Sequence, residues 1–128
     1  MSKIELGCVS IDSLDFRPLA DFYVKLLDGK IEHEFGDHGV SVSLPGTDVK
    51  LNFLNAEDYV PPVWPEEPGK PQQMAHLDLF TDDLQGAVKK AIELGAKKAP
   101  QQFIPEITVM LDPAGHPFCL IPKEPPIK

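Results

Sequence analysis

Cysteine and histidine are the side chains through which this chain can hold a soft metal ion or move a proton, and it has few of them. There are two cysteines and four histidines in 128 residues. His76 opens the run His76-Leu77-Asp78-Leu79-Phe80 and sits on the inward face of a short strand. An imidazole there is a ligand or general base, or else a hydrogen-bonded residue that orients a bound molecule. Cys8 lies in Leu6-Gly7-Cys8-Val9-Ser10-Ile11-Asp12, and Cys119 in Phe118-Cys119-Leu120. A thiolate is a zinc ligand, but a buried free cysteine behaves as a small hydrophobe. The Phe-Cys-Leu run reads as an ordinary buried strand, which favours the second role. His116 follows Gly115 in a turn and shapes it. His33 and His38 flank Phe35-Gly36-Asp37 and carry no assigned role. Asp12, Asp15, Asp78, Asp82 and Asp83 read mostly as helix caps and strand-end solvation, not as a carboxylate metal site.

Other chemistries are excluded by what the sequence lacks. It has no phosphate-cradling glycine loop, no Gly-x-Ser-x-Gly elbow and no dinucleotide fingerprint. A net charge of −8, from 12 basic and 20 acidic side chains, argues against a nucleic-acid surface. Arg17 is the single arginine, so a bidentate phosphate clamp is poorly supplied. No apolar run approaches the ~20 residues that span a bilayer. The segment Met1-Ser2-Lys3-Ile4-Glu5 lacks the apolar core of a secretory signal. With only two cysteines, the expected compartment is reducing and cytoplasmic, with no disulfide framework and no membrane partner.

The elements that must position these residues are legible in periodicity. Leu19, Phe22, Tyr23, Leu26 and Leu27 form one apolar stripe, which predicts a helix over 16–27 capped by Asp15. Leu84, Ala87, Val88, Ala91 and Ile92 form a second stripe. Asp82 and Gln85 are spaced as a capping box, and Gly95 supplies a left-handed stop. Strands are predicted over 5–11, 30–34, 40–44, 49–54, 76–80, 97–99, 107–111 and 118–121, with turns at 45–48 and 112–115. Between the halves, 57–73 is proline-rich and reads as an extended linker. Trp64, held among prolines, either plugs against the partner unit or covers a cleft as a lid; packing fits better.

The two halves match each other. An offset of 68 residues puts Cys8 on His76 and Asp15 on Asp83. Near the ends of the halves the offset becomes 67, and Leu44, Leu51, Asn52 and Phe53 fall on Leu111, Phe118, Cys119 and Leu120. The order βαβββ therefore occurs twice, an internal duplication. The expected fold is α+β. Neither half can cover its own apolar face, so the two βαβββ modules, 3–56 and 74–122, must associate into a single domain.

Three motifs connect this pattern to a known family. They are His76-Leu77-Asp78-Leu79 followed by Thr81-Asp82-Asp83-Leu84; Asp112-Pro113-Ala114-Gly115-His116-Pro117-Phe118; and Pro62, Trp64, Pro65 and Pro71-Gln72-Gln73 ahead of the strand. Together they resemble the glyoxalase/bleomycin-resistance/dioxygenase (vicinal oxygen chelate) superfamily, in its glyoxalase-like subgroup. The resemblance implies a curved mixed sheet around a cleft with four converging positions, which fall on Cys8, Asn52, His76 and Cys119. Metal-dependent relatives carry His or Gln, Glu, His and Glu there, so only His76 agrees. Glyoxalase I chemistry needs a Lewis-acidic ion and a proton-moving carboxylate, and extradiol chemistry needs two histidines and a carboxylate.

The expectation is therefore a small-molecule binder whose ligand meets Cys8, Asn52, His76, Cys119 and Trp64, with no metal cofactor. The alternative is a lyase or isomerase of the same superfamily. It would use His76 as its catalytic residue and a divalent zinc, nickel, manganese or iron ion on His76, Cys8 and Cys119. By the same resemblance the chain is expected to form a homodimer.

Overall fold

A computed structural model describes residues 2–123. The chain folds into two compact units that meet between Tyr59 and Val60. The N-terminal unit contains β1 (Cys8–Ser13), α1 (Phe16–Leu27), β2 (Lys30–Glu34), β3 (Gly39–Ser43) and β4 (Lys50–Asn55). The C-terminal unit contains β5 (Leu77–Thr81), α2 (Leu84–Glu93), β6 (Lys97–Lys98), β7 (Thr108–Leu111) and β8 (Pro117–Pro122). Each unit builds one four-stranded mixed sheet, ordered β1-β4-β3-β2 and β5-β8-β7-β6. In both, the first strand runs parallel to the last and the remaining pairs are antiparallel. This is the predicted βαβββ order, twice.

Strand register confirms the duplication residue by residue. Ser10 pairs with Asn52, and Asp78 pairs with Cys119. Ser41 pairs with Asn52, and Val109 pairs with Cys119. The offset of 68 therefore extends through the third strand, and the change to 67 falls in the turn after it. Placing Leu44 on Leu111 was one residue out, because Ser43 is the structural match of Leu111.

α1 begins where predicted. The Asp15 carboxylate accepts from the Arg17 amide at 3.1 Å. Asn55, at the end of β4, accepts from the Phe16 amide at 2.7 Å and ties the helix start to the sheet. Phe16, Leu19, Ala20, Phe22 and Tyr23 are buried on its inner face against Val40, Val42, Leu51 and Phe53 of the sheet. Tyr23 stacks on Phe53 with centroids 5.4 Å apart. Leu26 and Leu27, at the helix end, are only half-buried.

Several boundaries differ from expectation, each for a local reason. β1 starts at Cys8 rather than Glu5, because its parallel partner β4 starts at Lys50, opposite Cys8. For the same reason His76 falls just ahead of β5, whose pairing begins at Leu77 opposite Phe118. The cap of α2 is Asp83, not Asp82. Its carboxylate accepts from the Gly86 amide at 3.1 Å, and a Cβ at Gly86 would collide with that carboxylate. β5 continues through Thr81, which leaves Asp82 as the connector. In α2 only Ala91 is fully buried, and Ile92 is exposed. Ile92 lies about 100° round the helix from the row that faces the sheet.

The proline-rich segment is not an extended linker. Val63 bridges to Gln72, and the Val63 amide donates to the Pro71 carbonyl at 2.8 Å. Between them the Lys70 amide donates to the Glu67 carbonyl at 3.1 Å, with Gly69 at φ 77°. Proline followed by a left-handed glycine is the composition of a type II turn. The segment therefore doubles back, and from Val60 onward it belongs to the C-terminal unit. Among the described residues no helix is long and apolar enough to cross a membrane.

Candidate functional site

The chemistry-bearing residues gather on one face of the C-terminal sheet. Phe118 and Leu120 of β8 and Met110 of β7 are buried on the other face. Alternation turns Cys119 and Val109 away from them, where both pack with Ala99 beneath Trp64, Ile107, Leu111 and Ile121. β5 lies parallel beside β8, so Asp78, the register partner of Cys119, stands on that same face. His76 is two residues earlier and follows suit. His76 Nε2 lies 3.1 Å from Asp78 Oδ1, and its Nδ1 lies 3.2 Å from Gln73 Oε1. The ligand-capable atoms of His76, Asp78 and Cys119 all fall within 4.8 Å of one another.

Trp64 is brought onto this group by the doubled-back loop. Its ring stacks on His76 at 4.9 Å and 29°, and meets Phe103 at 5.0 Å and 33°. Trp64 thus packs on the sheet of its own unit. Phe103 is 47% exposed and extends the aromatic surface outward. The loop that carries Phe103 is held by Gln102. That side chain donates to the carbonyls of Ala99 and Val109, each at 2.9 Å, and accepts from the Val109 amide at 2.8 Å. At the far end of β8, the buried Asp112 carboxylate accepts from the amides of Ala114 and His116 at 3.0 Å each. His116 shapes this turn as expected, through its backbone.

The two thiols differ sharply. Cys119 is buried, and its acidity is weakened: burial, then the charge of Asp78, then a hydrogen bond to that carboxylate push its pKa up to about 11. The thiol therefore stays protonated and donates to Asp78. Cys8 is exposed. Thiolate is the reactive form, and at pH 8 a thiol with that pKa is only about a thousandth ionised. A native-state thiol titration at pH 8 is expected to label Cys8 promptly and Cys119 only on unfolding. Equal rates for both would contradict the packing of Cys119.

Cys8 and Asn52, the other two positions from the sequence, sit in the N-terminal unit. Cys8 is opposite Lys50, and Asn52 is opposite Ser10. Asn52 donates to the Ser10 hydroxyl at 3.3 Å. Its Oδ1 is buried with no hydrogen-bond partner among the described residues. This unit also has a surface depression of about 400 Å³ lined by residues that include Phe16, Arg17, Asp21, Ile31, Glu34 and Asp37. The cation there is already engaged: Arg17 pairs with Asp15 and Asp37 at 3.4 Å each and stacks over Phe16. The concavity and the chemistry are in different places, and the chemistry is the better guide to the site.

Asp78, Gln73, Gln102 and Phe103 were not singled out from sequence as site residues. For Asp78 a signal existed. It follows His76 by two residues in an alternating strand, and the duplication puts it beside Cys119. Gln102 and Phe103 lie in a loop without periodicity, where no comparable signal exists.

Two repeated βαβββ units, with an imidazole, a carboxylate and a thiol under a tryptophan, define the class: an α+β fold with one four-stranded mixed sheet in each unit. The chain belongs to the glyoxalase-like domain family, whose family model matches residues 8–121. Solved structures agree on the fold. An antibiotic-binding protein, TnmS3, from Streptomyces sp. CB03234 is 22% identical, covers 97% of this chain and 99% of its own, and has a TM-score of 0.64. A glyoxalase/bleomycin resistance protein/dioxygenase family enzyme from Burkholderia phytofirmans PsJN is 14% identical over 93% and 98%, with a TM-score of 0.70. A lactoylglutathione lyase from Agrobacterium tumefaciens is 11% identical over 96% of each chain, with a TM-score of 0.62. No curated protein matches the chain in sequence.

The metal set that the family resemblance implies does not fit these residues. Of Cys8, Asn52, His76 and Cys119, none is a carboxylate. Asn52 is committed to Ser10. A hard, oxygen-rich ion finds no match in that set.

Proposed function

We propose that this protein binds a small planar organic molecule on the aromatic face of its C-terminal unit, without the family's usual metal set. The observation that carries the reading is Trp64, whose ring stacks on His76 and meets Phe103 in an aromatic cluster that is already assembled. An aromatic surface held rigid before binding loses little entropy when a flat ligand adds to it. Asp78, 52% exposed at its side chain, supplies the polar contact that fixes orientation. The net charge of −8 disfavours anions and favours neutral or cationic ligands. The fold likeness to an antibiotic-binding protein supports the same reading.

Trp64 is the single tryptophan, so its fluorescence reads the site directly. Titration of the reduced protein in chelator with a panel of planar aromatic antibiotics is the test. At least one compound should quench Trp64 saturably and raise the melting temperature. Trp64→Ala should weaken that thermal response at least tenfold in ligand concentration. A panel that leaves both fluorescence and melting temperature unmoved, or a shift that persists in Trp64→Ala, rejects the reading.

A further inference from the structure

We propose that His76, Asp78 and Cys119 form a zinc site inside the C-terminal unit, with a donor set different from the one the family resemblance implies. Imidazole nitrogen, carboxylate oxygen and thiolate sulfur are the three donor types zinc accepts. Strand register brings them together, with Asp78 opposite Cys119 and His76 two residues before Asp78. At zinc bond lengths of about 2.0–2.3 Å, tetrahedral donors stand roughly 3.3–3.8 Å apart. His76 Nε2 and Asp78 Oδ1 are already 3.1 Å apart, and the whole trio lies within 4.8 Å. The sulfur must close by about 1 Å, a side-chain adjustment.

Two surrounding contacts point the same way. Gln73 Oε1 lies 3.2 Å from His76 Nδ1. An Nδ1–H donated to that oxygen leaves the Nε2 lone pair turned to the Asp78 side, which is how metal-bound histidines are oriented by an outer partner. Trp64 stacks on the same ring and fixes its plane. The carboxylate missing from the last strand, where Cys119 stands, is supplied by Asp78 across the strand pair. Three protein donors leave one position for solvent or ligand. The side chains of His76 and Asp78 are 27% and 52% exposed, so that position is reachable. On binding, the Cys119 S–H bond breaks, its proton goes to solvent, and an S–Zn bond forms. Nothing is oxidised or reduced. Thiolate and imidazole select zinc or cobalt over magnesium or calcium.

The test uses the full, reduced, metal-stripped chain and cobalt(II) as a coloured probe. One equivalent should give a near-ultraviolet sulfur-to-cobalt charge-transfer band and tetrahedral visible bands, both removed by micromolar zinc. Cys119→Ser should abolish the charge-transfer band. Asp78→Asn, at a half-exposed position that folding tolerates, should weaken cobalt binding at least tenfold, and Gln73→Ala should weaken it about 10–100-fold as outer-partner losses do. The proposal is overturned if no band forms. It is equally overturned if Asp78→Asn binds like the parent, or if the band survives Cys119→Ser and disappears in Cys8→Ser. The aromatic titration is run in chelator and the cobalt titration without organic ligand, so each proposal fails or stands alone.

Discussion

Phe118→Ala is expected to lower the free energy of unfolding by about 3–5 kcal/mol, the usual range for emptying a buried phenylalanine site. Phe118 is fully buried on β8, paired with Leu77 on one side and Met110 on the other. Its loss opens a cavity beneath the strand pair that carries Asp78 and Cys119. Against a total of about 5–15 kcal/mol for a domain this size, such a cost is a large fraction. Urea denaturation followed by circular dichroism measures it. In the same variant Trp64 emission should move to the red, as the sheet face under the ring loosens. A cost below about 1 kcal/mol would mean that β8 is not the packed centre of its unit.

Gln102→Ala should cost about 2–3 kcal/mol, because one side chain makes three hydrogen bonds to backbone groups worth roughly 1 kcal/mol each. Its removal leaves the Val109 amide without the Gln102 acceptor and frees the loop that presents Phe103. Binding of an aromatic ligand should fall by about tenfold, even though the hydrogen bonds of Gln102 go to backbone groups, since the platform is no longer held in place. Gln102→Glu separates the two effects of the amide. It keeps an acceptor for the Val109 N–H but sets a carboxylate against the Ala99 and Val109 carbonyls, so it should be no better than alanine. Hydrogen exchange at the Val109 amide gives a local readout. If exchange there is unchanged in Gln102→Ala, the side chain does not hold the loop.

Much of the fold was legible because it is periodic. The bounds of α1 and its Asp15 cap were readable to the residue, and its stripe was right at Leu19, Phe22 and Tyr23 but ran too far at Leu26 and Leu27. The duplication followed from repeated order, although identity between the halves is weak. What periodicity does not carry is pairing. The start of β1 and the position of His76 just outside β5 depend on where the partner strand begins. The capping residue of α2 was misplaced because two adjacent aspartates satisfy the same rule, and only the extent of β5 decides between them. The proline-rich segment was misread for a related reason. Composition excluded helix and interior strand, but not a reversal built on Pro68-Gly69.

The site was half legible. His76, Cys119 and Trp64 were named from the sequence and do lie together. Asp78 was set aside as strand-end solvation, although its alternation with His76 and its register with Cys119 place it at the centre. Judging each aspartate by its neighbours in sequence concealed a partner that lies across the sheet.

The matched registers of the two sheets have one more implication. Ser10 and Asn52 occupy in the first unit the places that Asp78 and Cys119 occupy in the second, and Cys8 stands where His76 does. Duplication has left the chain with two structurally equivalent strand pairs, which hold a carboxylate and a thiol in one unit and a hydroxyl and an amide in the other. The two copies agree where backbone pairs with backbone and differ where side chains meet across the strands, so donors at these places can change while the register is kept.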